Sequence, residues 1–144
     1  MADPNDKSLS TVPSNDDDSM KIAVLGHLLK LEREQTASTV EAMATLLEAA
    51  VPDRVEVTRG GWPWSKVKPV ERLTIALDDI NYEVTKSKHG APAVTQRKVV
   101  GGIVIKTAKV TMVACITDIV ERLTALEKDS AATRIALKNF ATGR

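Results

Sequence analysis

The sequence is poor in the residues that build reactive, cross-linked or base-stacking sites. It has a single cysteine, Cys115, which excludes an internal disulfide and a cysteine-only metal cluster. Its two histidines, His27 and His89, lie far apart in sequence, and His27 has neither His nor Cys three or four residues on. A helical metal pair is therefore missing, and no metal site or other cofactor is expected. Aromatic residues make up 3%, too few for a nucleic-acid stacking platform. No apolar run approaches the roughly 20 residues a membrane-spanning helix needs. Residues 1–18 lack an apolar signal core, and no glycine follows Met1 to accept a myristoyl group. A cytoplasmic protein is expected.

What is present suits one folded domain. Of 144 residues, 43% are hydrophobic, enough for a real core. Charge nearly cancels, with 20 Lys and Arg against 19 Asp and Glu. The near balance hides an asymmetry. Residues 1–18 carry five aspartates against Lys7, whereas residues 51–110 carry 11 basic side chains against 6 acidic ones. An acidic tail and a basic centre are the first features that concern a partner.

The Pro-, Asn- and Ser-containing stretch 1–18 reads as a flexible acidic tail, and 19–144 as a single α+β domain. From Ser19 to Ala50, Ile22, Leu25, Leu29, Val40, Met43 and Leu47 recur at helical spacing, predicting one long helix ended by Pro52 and weakened over Gln35–Thr39. The period then changes to two. Val55 and Val57 mark a strand, and Leu73, Ile75 and Leu77 mark a second. Asp78-Asp79 forms a tight turn into a third strand bearing Ile80, Tyr82 and Val84. After His89-Gly90-Ala91-Pro92 comes a strand-like run from Ala93, in which Gly101-Gly102 reads as a bulge or close backbone approach. Thr111 caps a helix with Met112, Ile116, Ile119, Val120, Leu123 and Leu126 on one face. Asp129 or Ser130 starts another, which closes before Gly143. The expected fold is thus α+β: a long N-terminal helix, a four-stranded antiparallel sheet, and C-terminal helices.

Candidate chemistry is sparse. Cys115 falls within an apolar helical stripe, where a thiol is a small core residue. No G-x-S-x-G elbow occurs, Asp16-Asp17-Asp18 lacks calcium-loop spacing, and neither glycine pair matches a phosphate-cradling pattern. Asp78-Asp79 reads as a turn rather than an acid–base pair. No catalytic residue is assigned, and a non-enzymatic protein is expected.

Two features stand out. Both tryptophans fall in one loop, Arg59-Gly-Gly-Trp62-Pro-Trp64-Ser-Lys66-Val-Lys68. Indoles suit the junction of apolar and wet surroundings, and cations attract acidic surfaces. Arg59, Trp62, Trp64, Lys66 and Lys68 are candidate contacts to a protein or an anionic membrane. The alternative is that the rings fold back over the sheet edge or close a dimer. The second feature is a basic hairpin set: Lys86, Lys88, Arg97, Lys98, Lys106 and Lys109. Lys86, Lys88, Arg97 and Lys98 are candidate anion-binding residues able to follow a phosphate backbone, and they equally serve to protect strand edges from aggregation.

The run Val99-Val100-Gly101-Gly102-Ile103-Val104-Ile105-Lys106-Thr107, with the Leu73–Val84 hairpin before it, resembles a group of uncharacterised small bacterial α+β proteins. These carry a long first helix, a strand, a variable loop, a hairpin, a V-V-x-G-I-x-I-K-T-like strand and a C-terminal amphipathic helix. The resemblance covers the last two thirds of the chain and implies the fold class. It brings no activity and no catalytic residue. This chain departs from the pattern in its Trp62-Pro63-Trp64 loop and in lacking acidic residues at the start of the last long helix. The residues together suggest an interaction or adaptor protein docking through its Trp loop, forming a homodimer that covers surplus apolar surface. A sequence-nonspecific nucleic-acid binder using the basic sheet is the second reading.

Overall fold

The structure, a computed structural model, describes residues 15–34, 36–86 and 91–143. The tail expected over residues 1–18 lies outside the described residues as far as residue 14, and from Asn15 the backbone is helical.

Where one long helix was expected there are two, α1 (Asn15–Glu34) and α2 (Thr36–Ala50). The division falls where Thr36, Ser38 and Thr39 weaken helix propensity. It also lets the two segments pack on different neighbours. α1 buries Val24 and Leu28 against the C-terminal helices, and α2 buries Val40, Met43, Leu46 and Leu47 between β1–β2 and the last helix. Ile22, expected on the buried stripe, is 69% exposed. At about 100° per residue it points roughly 200° away from Val24.

Five strands follow: β1 (Val55–Arg59), β2 (Val70–Leu77), β3 (Ile80–Thr85), β4 (Ala93–Val100) and β5 (Ile103–Val110). They form one antiparallel meander in chain order. The expected four strands become five because Gly101-Gly102 is a reversal, with Val100 paired to Ile103 across it. Both glycines have positive φ, 59° and 80°, the requirement of a two-residue hairpin turn that matches strand twist. Asp78, at φ 53°, turns β2 into β3, and Leu77 pairs with Ile80.

Alternation sorts the sheet into two faces. Leu73, Val84 and Val94 line up across neighbouring strands with Val57, and Ile75 lies beside Tyr82; all but the partly buried Val57 are buried under the helices. The opposite face, with Glu56, Thr74, Glu83 and Thr95 in one cross-strand row, carries no helix among the described residues. α3 (Met112–Leu126) and α4 (Ala131–Thr142) complete the helical layer. Their caps are those expected. The Thr111 side chain accepts from Ala114 N, Ser130 from Thr133 N, and Gly143 closes α4 in the left-handed conformation. Thr133 donates to the Ala50 carbonyl at 3.0 Å inside the core, pinning α4 to the end of α2.

Because successive strands reverse direction, the β1–β2 loop, the end of β3 and the start of β4 share one end of the sheet. The Asp78-Asp79 and Gly101-Gly102 turns share the other.

Candidate functional site

The loop joining β1 to β2, residues 60–69, is closed at its base by its own backbone. Gly60 N donates to the Pro69 carbonyl at 3.0 Å, so the two strands part at a defined point. Arg59 braces this base. Its guanidinium donates to the Lys68 carbonyl at 3.1 Å and to Glu41 of α2 at 3.2 Å, and lies 3.6 Å from Glu48. The other Glu41 oxygen accepts from Val70 N at 2.8 Å. Glu41 thus holds both stems of the loop. Within the loop, Ser65 N donates to the Trp62 carbonyl at 2.9 Å, and the Ser65 hydroxyl bridges to Val67. These bonds order the loop before any partner arrives.

On this ordered base the apolar side chains point outward. Trp62 is 70% exposed, Trp64 79% and Val67 76%. Neither indole folds back over the sheet. They pack on each other instead, edge to face, with ring centroids 5.6 Å apart and planes at 67°. Lys66 and Lys68 alternate with Val67 and are exposed. Among the described residues neither lysine enters an ion pair. Arg59 is oriented otherwise, its charge turned inward to α2. Val67, unmarked by its own type, belongs to the tip, and the Lys-Val-Lys alternation was the signal for it.

The basic hairpin set does not gather on one face. Lys86 lies at the end of β3, with its backbone N bonded to Glu71 O at 2.8 Å. It therefore shares the sheet end with the Trp loop. Arg97 and Lys109 occupy the helix-free face, and Arg97 pairs with Glu83 at 3.7 Å. Lys98 and Lys106 face each other across β4 and β5 with side chains on the opposite side. Lys88 and His89 lie outside the described residues.

No family model, curated protein or solved structure matches this chain.

Beneath the sheet lies a polar cluster that residue spacing did not reveal. Tyr82 of β3 donates its hydroxyl to Asp118 of α3 at 2.5 Å and accepts from Gln96 of β4 at 2.8 Å. Arg122, one helical turn beyond Asp118, donates to the same carboxylate oxygen at 3.0 Å and lies 3.5 Å from Asp79 of the β2–β3 turn. Burial, reinforced by the Asp118 hydrogen bond, raises the Tyr82 hydroxyl well above its ordinary range. Cys115 is fully buried nearby, and burial followed by the Asp118 charge pushes its thiol up to about 12. A thiol so shifted stays protonated near neutrality and makes a poor nucleophile. The cluster fastens α3 to the sheet through partners on β3, β4 and the β2–β3 turn. His27 meets Phe140 edge to face at 5.2 Å, joining α1 to α4. Among the described residues no group of three His, Cys, Asp or Glu side chains could hold a metal ion, and no helix is long and apolar enough to cross a membrane.

Proposed function

We propose that this protein works by contact and not by catalysis, docking its Trp62/Trp64 loop onto the surface of a protein or membrane. One observation carries the reading. Two indoles and a valine, the largest apolar exposures in the β1–β2 region, stand on a loop whose stems are hydrogen-bonded in place. Water-exposed indoles gain free energy once covered, and a pre-ordered loop loses little entropy in being covered. Lys66 and Lys68 add attraction to acidic surroundings.

A homodimer belongs to the same proposal. At the other end of the sheet, Val100, Ile103, Val104 and Ile105 are exposed around the β4–β5 turn, and β5 is an edge strand. Such an apolar edge favours pairing with another copy. The nucleic-acid reading draws less support, because the cations divide between two faces and Arg97 is paired with Glu83.

The test compares wild type with Trp62→Ala/Trp64→Ala as immobilised bait, challenged with soluble and membrane fractions of native lysate. The variant should lose material that the wild type retains. Identical retention by both proteins in both fractions would defeat the contact reading at this loop.

A further inference from the structure

We infer that the occupant of the Trp loop is an anionic lipid surface, with the indoles at the headgroup level and the surrounding cations on the phosphates. The inference rests on the contact reading and names its partner.

The arrangement of charge favours lipid over protein. Lys66, Lys68, Arg72 and Lys86 are all exposed at this end of the sheet, and none enters an ion pair among the described residues. Glu71 is acidic here too, its carboxylate lying over Gly60 at the loop's base. The other carboxylates close to the stems, Glu41 and Glu48, are engaged with Arg59. The end of the sheet is therefore positive where it is most apolar.

Protein interfaces do the opposite. Their cores are depleted in lysine, and charged groups are kept at a wet rim. Here lysines alternate with apolar tips, Trp64, Lys66, Val67 and Lys68, all on the same exposed loop. Burying that sequence against a protein would strip water from the ammonium groups. A headgroup layer leaves them solvated by phosphate and water while their methylene stems and the indoles sink. Size points the same way. Residues 60–69 fall well short of the roughly 20–30 residues per side of a standard protein interface. They suit a small wedge whose binding adds apolar area to surface charge.

The protein carries its own reporter, because both of its tryptophans lie in this loop. Full-length protein is titrated with phosphatidylcholine vesicles, with and without phosphatidylserine, following indole emission and co-sedimentation. Phosphatidylserine vesicles should shift the emission to the blue and pellet the protein, phosphatidylcholine alone should do so weakly, and added salt should reverse both effects. Lys66→Glu/Lys68→Glu should weaken partitioning about 25-fold or more, at about fivefold per lysine near an anionic surface. Trp62→Ala/Trp64→Ala should weaken sedimentation by about tenfold or more. Circular dichroism of each variant confirms that these surface changes leave the fold intact. Absence of a shift and of pelleting at low salt overturns the inference, as does pelleting undiminished by either variant. Failure with vesicles, alongside loss of a soluble partner by the Trp62→Ala/Trp64→Ala bait, removes the lipid and leaves the contact reading standing. If the alanine variant changes neither assay, both fall.

Discussion

Tyr82 shows how one side chain ties this fold together. Its ring is part of the core, and its hydroxyl reaches Asp118 and Gln96. Tyr82→Phe keeps the ring but leaves those two polar groups short of a partner. A loss of about 1–3 kcal/mol is expected, measured as a lowered urea midpoint at unchanged slope. Cys115 adds a pH dependence. Its thiol titrates at about 12 in the native state against an ordinary 9.0, and Tyr82 is shifted in the same direction. A raised native value means that the unfolded chain gives up its proton first as pH rises. The stabilising contribution is thus whole below about pH 9 and drains away toward pH 12. Urea midpoints should fall steadily across that window, and Cys115→Ala should flatten part of the decline. The same burial should keep Cys115 unreactive toward a thiol reagent at neutral pH until the protein is unfolded.

At the scale of elements, the β4–β5 turn makes the clearest demand on its residues. Gly102, at φ 80°, occupies a backbone region costly to side chains. Gly102→Ala should cost about 1–2 kcal/mol in chemical denaturation, whereas Gly101→Asn should be close to neutral, since Asn-Gly suits this turn. The turn also shows what residue patterns could convey. Asp78-Asp79, with hydrophobic alternation on both sides, was legible as a reversal, as were the caps at Thr111 and Gly143, while the last helix's N-cap was narrowed to Asp129 or Ser130, of which Ser130 is the one used. Gly101-Gly102 was not, because Val99-Val100 and Ile103-Val104-Ile105 are apolar without alternation, so no change of face announced a new strand. The separation of α1 from α2 was foreshadowed by the polar stretch near Thr36, yet the rotation that exposes Ile22 depends on α3 and α4, far along the chain. The Trp loop was visible from composition. Its outward orientation was not, since that depends on Glu41 gripping both stems from α2.

For the molecule as a whole, two groups of exposed apolar side chains lie at opposite ends of the sheet: the Trp loop at one, the β4–β5 tip at the other. Pairing through the tips would carry two Trp loops on the outer ends of a dimer. Ile103→Lys/Ile105→Lys should then reduce the mass found by light scattering to that of a monomer while leaving indole emission unchanged. A wild type that is monomeric at all concentrations would dismiss the dimer. The meander has a different consequence, for kinetics. Among the described residues each strand pairs within the sheet only with its immediate predecessor and successor, so each pairing closes a short stretch of chain. The Thr133–Ala50 bond, which spans 83 residues, must instead wait for the last helix to dock. Refolding should accordingly be rapid for a sheet protein, with backbone protection against hydrogen exchange arriving in the hairpins ahead of the C-terminal helix.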